Sequence, residues 1–176
     1  MPTAEQTLSW IKACLTGPAY KKKYKVDKSS NTLITEMKTL KKPLKSAKIH
    51  FRCTESFISV RAYVNVLADK KQRQSVAEYI TRVNTDTVFC KFNMDFDSGE
   101  IWTDISLRVI NMESLPIEEF YGIYFPPVQM LDIYGAGLLD VMSGEKSPKE
   151  ARDEMGQWYA SWSCKNNQNH NHNDTV

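Results

Sequence analysis

Val88-Phe-Cys-Lys-Phe-Asn-Met-Asp-Phe-Asp-Ser-Gly99-Glu-Ile-Trp-Thr-Asp-Ile-Ser-Leu-Arg-Val109 is the stretch on which the fold turns. Val88, Cys90, Phe92, Met94 and Phe96 alternate with Phe89, Lys91, Asn93 and Asp95. After the turn signal Asp97-Ser98-Gly99, the alternation resumes with Ile101, Thr103, Ile105, Leu107 and Val109. Strand side chains point to opposite faces with a period of two, so this spacing predicts a hairpin with one apolar face. A slip of one residue would turn either strand's apolar set to solvent, which pins the register.

Upstream, Asp69-x-x-Gln72 announces a helix with Val76, Ala77, Ile80 and Val83 on one side, and Asn84 is placed to end it. Before it, Ile49, Phe51 and Cys53 alternate with His50 and Arg52, and Ile58, Val60, Ala62, Val64 and Val66 continue the pattern beyond Thr54-Glu55. Two strands joined by a tight turn are expected there, with a further strand over Thr32–Leu40. Tyr20–Asn31 is basic and turn-rich and reads as a loop with at most a short strand. Thr3-Ala-Glu-Gln6 has capping-box form and opens a first helix over residues 4–16, which Gly17-Pro18 stops.

Downstream the period changes to that of a helix. Pro126-Pro127 must break any helix starting near residue 117, because neither proline donates a backbone bond. Val128, Leu131, Gly135, Leu138 and Met142 then step by three and four, with Gly144 as the stop. Ser147-Pro148-Lys-Glu150 caps a last helix carrying Ala151, Met155, Trp158, Tyr159 and Trp162. The order α-β-β-β-α-β-β-α-α predicts an α+β fold, a largely antiparallel sheet covered by helices. One domain over residues 1–163 is expected, followed by a disordered Asn- and His-rich tail over 164–176.

The chain has 176 residues, 41% hydrophobic and 25% charged, enough to bury a core without disulfides or structural metals. No apolar run reaches membrane-spanning length and no signal-peptide core is present, so a cytoplasmic protein with no membrane partner is expected. The four cysteines form no C-x-x-C pair, which fits a reducing compartment. The net charge of +2 hides an asymmetry. Residues 1–50 carry 11 Lys against Glu5, Asp27 and Glu36, whereas the rest of the chain has an acidic excess. Such a split implies a polyanion-binding surface, or two faces that attract each other within the fold or across a dimer.

Catalytic arrangements are scarce. Asp95-Phe-Asp97-Ser-Gly99-Glu100 misplaces the glycine and the final glutamate of a calcium loop, and is what a hairpin turn requires in any case. His170, His172 and Asp174 lie in the tail, where ordering the chain opposes metal binding. Cys53 and Cys90 fall on the apolar phase of their strands, Cys14 near a helix end and Cys164 in the run-out. His50 falls on a polar phase. No phosphate-binding glycine loop, nucleophile elbow or zinc-protease motif occurs. We expect no enzyme activity, no catalytic residues, no metal and no cofactor.

Residues 75–105, SVAEYITRVNTDTVFCKFNMDFDSGEIWTDI, resemble the YbjN-domain family of bacterial sensory transduction regulators. Ala77, Tyr79, Ile80, Arg82 and Asn84 fall on the family's helix signature, and Phe92, Met94, Asp95, Gly99, Glu100 and Ile101 on its hairpin. Leu115-Pro116-Ile-Glu118, Met130-x-Asp132-x-Tyr134, Val141-Met-Ser-Gly144 and Ser147-Pro148-x-Glu150-Ala151 resemble its C-terminal helices. Cys90 stands where the family carries a glycine. The resemblance implies a type III secretion chaperone-like fold and a protein-binding module, commonly a homodimer, that serves as a regulator or chaperone-like adaptor. It implies no catalytic residues.

Two sets of residues are candidates for contact. Phe120, Tyr121, Tyr124 and Phe125, with Trp158, Tyr159 and Trp162, are too many aromatics for one core-facing side, and surplus rings are favoured anchors for a protein partner or a second copy. Lys21, Lys22, Lys23 and Lys25 lead a run of ten lysines over residues 21–48, flanked by Tyr20 and Tyr24. The run supports an alternative: a nucleic-acid-associated regulator holding phosphates electrostatically. The absence of arginine from the run, and lysine's role in blunting sheet edges, favour a solvated edge instead. A small-ligand pocket between sheet and helices is a third possibility, with no residues to mark it.

Overall fold

The computed structural model describes residues 1–17, 21–38 and 44–157 of the chain. Within them the order is α1 (Ala4–Thr16), β1 (Tyr24–Asp27), β2 (Thr32–Lys38), β3 (Ser46–Cys53), β4 (Phe57–Leu67), α2 (Arg73–Thr85), β5 (Lys91–Met94), β6 (Glu100–Arg108), α3 (Ile117–Tyr124) and α4 (Pro126–Ser143). Residues 148–157 form a further helical segment. The strands make one antiparallel sheet in the order β1-β2-β3-β4-β6-β5. The fold is therefore α+β, a six-stranded sheet with helices packed on one face. No helix among the described residues is long and apolar enough to cross a membrane.

The alternation that predicts the strands also makes the core. Ile49, Phe51, Ile58, Val60, Ala62, Phe92 and Ile101 are buried on one face of the sheet. Leu8, Ile11 and Leu15 of α1 and Leu131, Leu138 and Val141 of α4 are buried in the same core. The buried polar side chains among the described residues are three threonines, each hydrogen-bonded, as a low-dielectric interior requires. Thr103 donates to the Pro127 carbonyl at 2.7 Å and seats the start of α4 on β6. Thr35 donates to the Lys23 carbonyl at 2.8 Å, and Thr7 to the Thr54 carbonyl at 3.1 Å.

The helix boundaries follow the predicted caps. Thr3 and Gln6 close both halves of a capping box on α1. Phe125 lies between α3 and α4, which restarts on Pro126-Pro127, and Gly144 ends α4 at φ 79°. Gly99 turns the β5–β6 hairpin at φ 80°. A Cβ there would come within 2.3 Å of the Ala68 carbonyl oxygen, so only glycine fits.

The short strand allowed within the basic stretch is β1, Tyr24–Asp27, whose Tyr24 and Val26 share the inward face with Thr35 and Leu33. The strand expected over Thr32–Leu40 is β2, Thr32–Lys38; residues 39–40 lie outside the described residues. Other expectations are corrected. Val66 is exposed, because the β4–β6 register shifts between Tyr63 and Leu67. Asn84 does not end α2, which runs on to Thr85. The predicted tail over 164–176 lies outside the described residues.

Candidate functional site

The groove begins with a mismatch of strand lengths. β5 pairs only Lys91–Met94, against Ile101–Asp104, whereas β6 continues to Arg108. Along Ile105–Arg108 no strand among the described residues lies on the β5 side. The vacated space is a cavity of about 640 Å³. Ile105 and Leu107 of β6, Ile123 of α3, and Met130 and Ile133 of α4 give it apolar walls. Cys90 and Phe89 line it from the chain entering β5, and the polar residues Glu119 and Gln129 are exposed beside it. Ser106 also contributes, although alternation sends its side chain to the opposite face, so the strand's backbone edge forms part of the wall.

Local polar contacts keep residues 87–90 from extending β5. The Asn84 amide donates to the Phe92 carbonyl and accepts from the Phe92 N–H, both at 2.9 Å. The Lys91 ammonium turns back to donate to the Asn84 carbonyl at 2.7 Å and to the Thr87 carbonyl. Held at this point, the preceding chain leaves the sheet, and Val88 and Phe89 are 79% and 81% exposed. Two adjacent apolar residues cannot both face inward from a strand. That pair was the one signal in the sequence for this site; the rest of the lining arises from packing between distant elements.

The aromatic candidates divide. Phe120 and Tyr124 are fully buried and stack on each other at 5.0 Å and on Phe51 at 6.1 and 5.8 Å. They hold α3 to the sheet and offer a partner no surface, which corrects their place among the contact candidates. Tyr121 and Phe125 are half-buried, with ring centroids 5.6 Å apart. Trp158, Tyr159 and Trp162 lie outside the described residues. Of the lysine set, Lys21, Lys23 and Lys25 are exposed and Lys22 is half-buried; Lys25 lies on β1 and the other three precede it.

The thiols are poor nucleophiles. Burial pushes Cys53 and Cys90 up to about 12, so both are protonated at neutral pH. His50 stands on the opposite face of the sheet from Cys53 and the groove, and desolvation lowers its pKa, keeping it neutral. Among the described residues no group of three His, Cys, Asp or Glu side chains could hold a metal ion.

Among the described residues, ion pairs do not join the basic first third to the acidic remainder. The ion pairs among the described residues join Arg82 to Glu78, Lys146 to Asp140 and Glu154, Lys149 to Asp153, and Arg152 to Asp86 and Asp153. All lie on α2, α4 and the helical segment that follows, or in the connections beside them. None involves a lysine of residues 21–48.

Comparison of the chain with protein-family models, with curated proteins and with solved structures gave no match.

Proposed function

We propose that the protein is a non-enzymatic protein-binding module, a regulator or chaperone-like adaptor of the kind the YbjN resemblance implies. Its groove beside β6 takes an extended apolar segment of a partner protein. The observation that carries this reading is an apolar trough running along an unpaired strand edge. A segment laid along Ile105–Arg108 would continue the line of β5, bond to the exposed backbone edge, and drop alternate side chains between Leu107, Met130 and Ile133. Glu118 and Glu119, which form no ion pair among the described residues, favour a basic residue at the end of that segment. Homodimerisation belongs to the same proposal as the assembly the resemblance implies.

A peptide array tests it. Binding is expected to concentrate on peptides of alternating apolar residues with a flanking Lys or Arg, and to be lost in Leu107→Arg and in Phe89→Asp. An array with no selectivity, or binding indifferent to both substitutions, contradicts the reading. If Leu107→Arg instead converts a dimer to a monomer in light scattering, a second copy is the groove's occupant.

A further inference from the structure

The face of the sheet opposite the helices carries a different pattern. Register places His50 beside Arg61, Tyr63 beside Trp102, and Trp102 beside Asn93. Three rings therefore run across adjacent strands β3, β4 and β6: His50 and Tyr63 are 4.6 Å apart, and Tyr63 and Trp102 are 5.9 Å apart. All three are half-buried. The Arg61 guanidinium lies over the Trp102 ring at 5.1 Å, adding a planar cation to the row.

On this face cations outnumber acids. Lys25, Lys48, Arg52, Arg61 and Arg108 share it by register, and none forms an ion pair among the described residues. Asp27, Glu36, Glu100 and Asp104 are the acids of the face; register sets Glu36 beside Lys48 and Asp104 beside Arg61. Asp27, Glu36 and Asp104 accept from neutral Ser or Asn side chains and keep their charge, so the face carries a net positive excess rather than an unopposed one. Arginine, missing from residues 21–48, is supplied here by β3, β4 and β6.

We propose that this open face binds single-stranded nucleic acid. Its phosphates lie on Lys25, Lys48, Arg52 and Arg108, and its bases stack on Tyr63, Trp102 and His50. Unpaired bases have π-faces that a row of rings and a guanidinium plane can receive whatever the sequence, and the excess of cations on the face draws the phosphates. A flat sheet offers no helix to enter the major groove of a duplex, so single strands are the form it fits. The site is separate from the groove beside β6 and does not depend on it.

The test is fluorescence anisotropy of the full chain with a labelled oligo(dT) of about 20 nucleotides, enough to span a typical single-strand site. Binding should weaken about 50-fold between roughly 50 and 200 mM salt, the loss expected for about four phosphate contacts on a single strand. The double variant Lys48→Gln/Arg52→Gln should flatten that salt slope. Tyr63→Leu should weaken binding with the slope unchanged, and binding should quench tryptophan fluorescence in the parent but less in Trp102→Phe. No binding at low salt overturns the proposal. Equal binding to heparin with no effect of Tyr63→Leu also overturns it, in favour of an acidic protein partner.

Discussion

The side-chain amide of Asn84 grips both backbone polar groups of Phe92, each at 2.9 Å, and ties the end of α2 to the outer edge of β5, one residue after its first pairing with β6. The contact anchors the start of β5 beside the stretch of β6 that has no neighbour. Asn84→Ala removes both bonds and leaves the Phe92 N–H and carbonyl to find water at the edge of the sheet. A loss of about 1–3 kcal/mol is expected in urea denaturation, with little change in slope. A variant as stable as the parent would show that the clamp does not anchor the edge.

Gly99 should be intolerant of any side chain. Its positive φ alone costs a non-glycine residue about 1–2 kcal/mol, and the Ala68 carbonyl blocks the Cβ as well. The Gly99 carbonyl also accepts the Ala68 N–H at 2.8 Å, and Arg73 donates to the Ala68, Phe96 and Asp97 carbonyls. Gly99→Ala is thus expected to lower the melting temperature by several degrees or more. An unchanged melt would mean that the turn adopts another conformation.

Stability should fall at alkaline pH. The Cys53 and Cys90 thiols rise on folding from an ordinary value of 9.0 to about 12, and burial also raises the Tyr79 phenol. A group whose pKa is raised by folding contributes fully below its unfolded value and loses that contribution as pH climbs toward the folded value. Denaturation midpoints should hold up to about pH 9 and then decline. At pH 8, a thiol reagent should leave Cys53 and Cys90 unmodified in the native protein and label both in denaturant; rapid native labelling of either would contradict their burial.

Tyr79 donates to the Tyr134 carbonyl at 2.7 Å inside the core, and a Cβ on Gly137 would come within 2.7 Å of the same phenol oxygen. Tyr79→Phe should cost about 1 kcal/mol, the net value of one buried hydrogen bond. Gly137→Ala should cost more, because Met155 and the Ala151 carbonyl crowd the same point. The opposite ranking in thermal melts would be inconsistent with this packing.

The sequence was most informative where local pattern and tertiary burial agree. β6 and its turn, α4 with Gly144, and the Thr3 capping box each carry their own signal within a few residues. β1 was legible only as at most a short strand, because an edge strand of four residues offers only Tyr24 and Val26 for an inward face, amid lysines that read as a loop. Val88 fits the strand alternation yet lies outside it, because Asn84 and Lys91 redirect the backbone through contacts that no periodicity records. The groove was hidden for a deeper reason: Ile105, Ile123 and Ile133 look like ordinary core residues until three elements are seen to meet with nothing between them.

Amide hydrogen exchange at Ile105–Arg108 bears most directly on the protein-binding proposal, measured with and without the tightest peptide from the array. Pairing of that peptide along β6 should slow exchange of the outward-facing amides in this segment. Tight binding that leaves these amides unchanged and protects another surface would contradict the account.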